Sequence, residues 1–375
     1  MNRTQIKTLL TASLFVGLSS ASYAEVSIAN ESAIVRSVSQ NHTQSDVNRH
    51  DAMRLEKVLR EAGIKADIKS IKPSSIPDLF AVTLADQPPL YISRDGHYVV
   101  QGEVLSVPDD VILEIQNDEM TANANSTLSI SLSSASQPPF DKALNGTRVS
   151  QALRASMLPY LMTFDGITAD IPLYHTAVDG LIWGASIDGM PFITTKTGKT
   201  IIDGEIALLE NGEFIGLDAT FERRKNKEVL SKLDADELII YPATAPEVQT
   251  IYVATDLNCP YCQQLHTMIE ELNAKGVTVN VIGYPVFDES FEPMRQIWCE
   301  TDNAERKRLF DEAMLGMQAT FQTTLPTCSG NRLQANRDVS AGLAVFATPA
   351  IYRADGTMYQ GHFAKPEFEA FLKGD

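Results

Sequence analysis

Cys259-Pro260-Tyr261-Cys262 constrains this chain more than any other feature, because two cysteines two residues apart form a dithiol that switches to a disulfide. Gln249 to Ala254 reads as a buried apolar strand, and Cys262, Leu265, Ile269 and Leu272 then recur at helical spacing until Gly276 supplies a stop signal. The motif is therefore expected at a helix N-terminus. There, unpaired N–H groups and the positive end of the helix dipole stabilise a thiolate, the reactive form of cysteine. Pro260 is tolerated in the first turn, where its missing N–H costs nothing. Cys259 is the expected exposed nucleophile, and Cys262, one turn further in, the thiol that resolves a mixed disulfide. The competing reading of the motif is half a zinc site. That normally needs a second close ligand pair, whereas Cys299 and Cys328 stand far apart.

The first residues say where this chemistry takes place. Arg3 and Lys7 precede an apolar stretch from Leu9 to Leu18, and Ser22-Tyr23-Ala24 is a small-x-small signal before Glu25. A membrane anchor needs about 20 apolar residues, more than this stretch offers. The reading is a signal peptide over 1–24, cleaved after Ala24, and a mature protein exported into an oxidising compartment. In that setting Cys299 and Cys328 read as a structural disulfide worth ~3–4 kcal/mol on a chain-entropy argument. A second catalytic pair is the other reading of these two. A length of 375 residues suggests two or three domains. Loss of Arg3 and Lys7 with the signal peptide takes the formal charge from −17 to −19, which disfavours nucleic acid and anionic membranes as partners.

The chain also repeats itself. Gly63-Ile64-Lys65-Ala66-Asp67-Ile68 returns as Gly166-Ile167-Thr168-Ala169-Asp170-Ile171 with five of six residues identical. With one residue lost, Leu79, Asp86, Pro89, Gly96, Gly102 and Glu103 then match Leu181, Asp188, Pro191, Gly198, Gly204 and Glu205. Each copy predicts a helix (around Asp51–Ala62 and Ser150–Phe164), a strand, and a hairpin turning at Asp95-Gly96 or Thr197-Gly198. Pro159 should kink or break the second helix. Asn123 to Pro139 reads as a Ser/Asn/Thr-rich linker or, from the alternation of Leu128, Ile130 and Leu132, as a strand. Val229, Leu230, Leu233 and Leu238 among charges suggest a connecting helix.

From about Val248 the expected order is strand, motif helix, strand (Val277–Tyr284), helices through Trp298 and Phe310, Thr348-Pro349, strand, a turn at Asp355-Gly356, strand, and a last helix from Pro366. This order resembles a thioredoxin fold with a helical insertion, in which a cis-proline lies beside the CxxC. With the upstream modules and the segment Asp256 to His266, the chain resembles the periplasmic disulfide isomerases of the DsbC/DsbG type over nearly its whole mature length. The resemblance implies an α+β multidomain protein. It has two tandem small α+β (cystatin-like) modules (25–120 and 121–223), a linker helix (224–245) and a thioredoxin-like α/β domain (246–375). It carries Cys259, Cys262, Thr348 and Pro349 over as nucleophile, resolving thiol and substrate-facing cis-proline loop, and matches Trp298-Cys299 and Cys328 to the family's structural disulfide. The dipeptide Pro260-Tyr261 looks like the DsbG branch but also occurs in glutaredoxins.

The implied partners are misfolded or mis-oxidised exported proteins and a membrane thiol reductase of the DsbD type as electron donor, with no metal or organic cofactor. The family has one N-terminal dimerisation module per chain, and here there are two. A homodimer with longer arms is the leading expectation, and pairing of the two copies within one chain the competitor. Two other functional readings remain: a DsbG-like reductase of sulfenic acids, which uses the same cysteines, and a holdase chaperone whose modules bind unfolded chains. Among other residues, His266 is expected to be a partly exposed helix residue, with an influence on the thiolate as the alternative. Asp256 is read as a cap or an acid–base relay, and Tyr252, Phe346 and Tyr352 as core or cleft lining. The Asn-x-Ser/Thr triplets at Asn41, Asn125 and Asn145 matter only in a eukaryotic secretory pathway.

Overall fold

A computed structural model describes residues 48–124, 142–211, 213–316 and 331–374. The signal peptide, most of the linker stretch, Asn41, Asn125 and Cys328 lie outside the described residues. The upstream elements are α1 (Arg49–Glu61), β1 (Ile68–Pro73), β2 (Leu79–Leu84), β3 (Leu90–Ser93), β4 (Tyr98–Gln101), β5 (Glu103–Ser106) and α2 (Asp109–Ala124). Next come α3 (Gln151–Leu161), β6 (Leu173–His175), β7 (Leu181–Ala185), β8 (Pro191–Thr195), β9 (Thr200–Asp203), β10 (Ile206–Glu210), β11 (Glu213–Gly216) and α4 (Ala219–Leu230). The C-terminal part has β12 (Ile239–Tyr241), β13 (Gln249–Thr255), α5 (Pro260–His266), α6 (Ile269–Ala274), β14 (Val277–Gly283), α7 (Asp288–Cys299), α8 (Asn303–Met314), α9 (Asn331–Gly342), β15 (Ala350–Arg353) and α10 (Pro366–Lys373). No described helix is long and apolar enough to cross a membrane.

The chain divides into two compact units, one of residues 1–101 with 207–216, the other of 102–206 with 217–375. In the first, a sheet of order β1-β2-β3-β4-β10-β11 carries α1. Asn48 caps that helix by accepting a 2.8 Å bond from the Asp51 N–H. Leu55 and Leu59, one turn apart and fully buried, pack with Val82, Ile92, Val99 and Leu209. The expected hairpin at Asp95-Gly96 joins β3 to β4.

The second unit holds two sheets. One has the antiparallel order β5-β9-β8-β7-β6 and packs on α3 through Met157, Leu161, Ile182 and Phe192. Pro159 does not break α3. It lies in the last turn, so the helix ends two residues later, short of the expected Phe164, and little of the ladder is lost to the ring. The other sheet, β12-β14-β13-β15, has a parallel β13–β14 pair flanked by antiparallel edges. The segment expected as a single helix over 224–245 differs: α4 starts at Ala219, capped by Asp218, and stops at Leu230. Residues 239–241 are already β12 of the sheet that carries the dithiol. Apolar residues every three to four positions fit a helix, but Leu238 and Ile239 are buried by the sheet instead. After Gly356 the expected strand is reduced to a single bridge between Tyr352 and Met358.

Helix α4 ties the two sheets of this unit together. Lys225, almost completely buried, pairs with Glu222 at 3.2 Å and lies 4.3 Å from the ring centroid of Trp183 on β7. One residue on, Asn226 donates to the Gly356 carbonyl at 3.1 Å. Gly356 sits at φ +90°, and a Cβ there would lie 2.1 Å from the Arg223 oxygen and 2.6 Å from the Lys227 nitrogen, both main-chain atoms that cannot swing aside. Gly356→Ala is therefore expected to destabilise this unit by about 3 kcal/mol, read as a lower urea midpoint.

Candidate active site

The site is set by the end of β13. Flanked by β14 and β15, this strand buries Ile251, Val253 and Ala254, and its last residue is Thr255. The chain then turns through Asp256, whose side chain is completely buried. Its Oδ1 accepts from the Asn258 N–H at 2.7 Å and the Ser290 hydroxyl at 2.6 Å, and its Oδ2 accepts from the N–H groups of Val286 and Phe287 at 2.6 and 3.0 Å. Ser290 also accepts from the Asn258 amide at 2.8 Å. Four donors on one carboxylate satisfy a buried charge. Asp256 is thus a brace that fixes the loop before Cys259 to the loop before α7, and it is not the cap read from sequence, since the N-cap of α5 is Cys259.

Cys259 is the N-cap of α5, with Pro260 as the first helical residue. The thiols of Cys259 and Cys262 are both free. Contrary to the expected exposure, Cys259 is only 5 % accessible, because its sulfur lies against the cis-proline loop, 3.2 Å from the carbonyl oxygen of Thr348. The Thr348–Pro349 peptide is cis. Cys262, at 2 %, is buried one turn below, and burial pushes its thiol up to about 12, a rise that contacts with Thr255, the Asp256 backbone and Thr348 only partly offset. Cys262 is thus held protonated at neutral pH, one helical turn below the cap position that Cys259 occupies.

The expected motif helix is two short ones, α5 and α6, separated at Thr267-Met268, although its apolar stripe is buried as expected. Beneath α5 lies a cavity of about 10 Å³, room for about one water, lined among others by Val253, Cys262, Leu265, His266 and Phe310. The His266 side chain is 8 % exposed, less than its helical position suggested, because it is wedged edge-on between Tyr241 and Phe310 and bonded to Asp311 at 3.2 Å. Burial pushes the Asp311 carboxyl up, but His266, Tyr241 and Lys307 together hold it below its ordinary value. Tyr352 is core, Tyr252 is half-buried opposite it in the β13–β15 register, and Phe346, two residues before Thr348, is 65 % exposed. With exposed Tyr261, Val286 and Phe287, it gives the segments around the dithiol an apolar character.

Cys299 is disulfide-bonded and so not available as a ligand beside the CxxC; its expected partner Cys328 lies outside the described residues. Asn145 is buried and donates to Asp218 at 2.9 Å, out of reach of glycosylation. Sequence reasoning missed Ser290 and Asn258. No short-range pattern marks Ser290, which is 34 residues from Asp256.

Comparison with known proteins finds relatives of both parts of the chain. Residues 237–374 match the family described as "Thioredoxin-like domain", and residues 29–111 the one described as "Disulfide bond isomerase protein N-terminal domain". The chain is 30 % identical over 192 residues to "Thiol:disulfide interchange protein DsbC" of Dickeya dadantii, covering 50 % of this chain and 77 % of that one. It is 28 % identical over 194 residues to the protein of the same name from Escherichia coli K12, covering 50 % and 78 %. The catalytic domain of Proteus mirabilis ScsC superposes with a TM-score of 0.35 at 19 % identity, over 40 % of this chain and 97 % of that one, a likeness too low to carry an argument.

Two outcomes follow from the site. Asp256→Ala leaves three N–H groups and a hydroxyl without their acceptor and is expected to cost about 3 kcal/mol in chemical denaturation. For Cys262, a thiol raised from 9 to about 12 on folding binds its proton more tightly in the native state, so the stability it carries is complete below pH 9 and lost as pH rises through 12. Reduced protein is expected to lose about 2 kcal/mol more than Cys262→Ala between pH 8 and pH 10.5, measured by urea unfolding in excess reductant.

Proposed function

The chain belongs to the DsbC-type thiol:disulfide interchange family, and from that premise we propose that it isomerises or reduces incorrect disulfides in exported proteins, with Cys259 as nucleophile and Cys262 as resolver. Thiol:disulfide interchange is the activity of the family. The observation that carries the finer reading is the placement of the two thiols: Cys262 lies one turn deeper and is held protonated, while Cys259 caps the helix against the cis-proline loop.

The Cys259 thiolate attacks one sulfur of a client disulfide. A mixed disulfide forms and the other client sulfur leaves as a thiolate. In isomerisation a different client thiolate attacks the client sulfur of that bond, which makes a new client disulfide and returns the Cys259 thiolate. In reduction Cys262 loses its proton and attacks the Cys259 sulfur, which closes the Cys259–Cys262 disulfide and releases the client as thiol. That second route consumes two electrons, which a dithiol donor must return; a membrane thiol reductase of the DsbD type fits this role. Isomerisation needs no net electrons.

The exposed apolar side chains at Tyr261, Val286, Phe287 and Phe346 support an unfolded polypeptide as client. The signal-peptide pattern and the cysteine chemistry support the periplasm as its place of action, and Cys299 with Cys328 as a structural pair.

Reactivation of scrambled ribonuclease by the mature protein in a glutathione buffer tests this. Recovery is expected, and Cys259→Ser is expected to lower its rate to that of buffer alone. Recovery that survives Cys259→Ser would overturn the assignment of the nucleophile. No recovery, together with turnover of a sulfenylated single-cysteine client, would select the sulfenic-acid reductase instead.

A further inference from the structure

Strands β4 and β5 are separated by one residue, Gly102, yet they belong to different sheets: β4 lies beside β10, and β5 beside β9. The repeat in the sequence gives this a meaning. Its offset of 102 residues, set by Gly96 with Gly198 and Glu103 with Glu205, places β9 on β4 and β10 on β5. Each repeat therefore receives at the edge of its own fourth strand the last strand of the other.

The main-chain bonds follow the same offset. Val107 donates to the Lys199 carbonyl at 2.9 Å, and its counterpart Leu209 donates to the His97 carbonyl at 2.6 Å. Val107 and Leu209 are both buried. Within the repeats the correspondence continues: Arg94 N–H to Asp78 O at 3.1 Å is matched by Lys196 N–H to Gly180 O at 3.2 Å, and Gly96 N–H to Ser93 O at 2.9 Å by Gly198 N–H to Thr195 O at 3.0 Å. At the crossing, a Cβ on Gly102 would stand 2.1 Å from the Asp203 oxygen, so the residue that passes the chain from one sheet to the other must be small.

We propose that the two repeats are each other's partner, and that a single chain, through this reciprocal exchange of strands, covers the fourth-strand edge of both sheets without a second copy. The physical reason is the edge. Without its exchanged neighbour, β4 or β9 would present a row of unpaired N–H and C=O groups, which a second chain could fill only at its own concentration. A strand tethered in the same chain competes at an effective concentration in the millimolar range, about a thousandfold above a micromolar second chain. One dithiol then accompanies each such pair of sheets. The homodimer expected from sequence does not need strands to pass between chains; if chains associate, they do so through another surface.

A cross-link between β5 and β9 tests this. Ser106 and Thr200 face each other in the register, with hydroxyl oxygens 3.4 Å apart, at positions outside the hydrophobic core. In a Cys259→Ser, Cys262→Ser background, Ser106→Cys with Thr200→Cys is expected to oxidise to a disulfide that runs at the mass of one chain, from about 1 to about 100 µM protein. Should that variant fold poorly, Glu103→Cys with Asp203→Cys probes the same register at two exposed positions. A disulfide at the mass of two chains, growing with concentration, would overturn the proposal. So would failure of a folded variant to cross-link at either pair. Two-chain mass in sedimentation combined with a one-chain cross-link would uphold the proposal.

Discussion

The Asp256 carboxylate is the interaction on which the site depends. A negative charge with no access to water is costly unless every lone pair is used, and four donors use these. Those donors come from two segments distant in sequence, the turn into α5 and the loop into α7, so satisfying the charge also fixes where Cys259 stands. Two of the apolar side chains around the dithiol, Val286 and Phe287, are held by their backbone N–H groups to the same carboxylate. The dithiol turn and two of the exposed apolar side chains near it thus share one buried anchor.

Around that anchor the fold separates two nearly identical thiols. Both are cysteines on one turn of helix, yet one is at the helix cap beside the cis-proline loop and the other one turn deeper, over the apolar sheet. Burial is the main cause that makes the deeper thiol a poor acid. On the proposed reading, attack by Cys259 and resolution by Cys262 follow this difference in depth.

Much of this was legible in the sequence because it rests on local rules. The CxxC at a strand-to-helix turn, Pro260 at the first helical position, the helix stop before Gly276 and the hairpin at Asp95-Gly96 all follow from patterns a few residues long. Thr348-Pro349 came from resemblance, and its cis geometry was met. What short-range patterns could not show were long-range matters. His266 was expected at a half-open helical surface, but Tyr241 and Phe310 come from strands and helices far along the chain to cover it. The helix expected over 224–245 failed because an apolar spacing near 3.6 also suits Leu238 and Ile239 entering a sheet. The partner of β5 was hidden for the same reason: alternation marks a strand but not which edge it joins.

The most direct measurement of the central claim is to trap the intermediate. Cys262→Ser is incubated with a peptide that carries a single disulfide at neutral pH, and the adduct is mapped by mass spectrometry after acid quench. The account predicts a persistent mixed disulfide on Cys259, because the nucleophile remains and the resolver is gone. A folded Cys262→Ser protein that forms no adduct, or forms it on another residue, would contradict it.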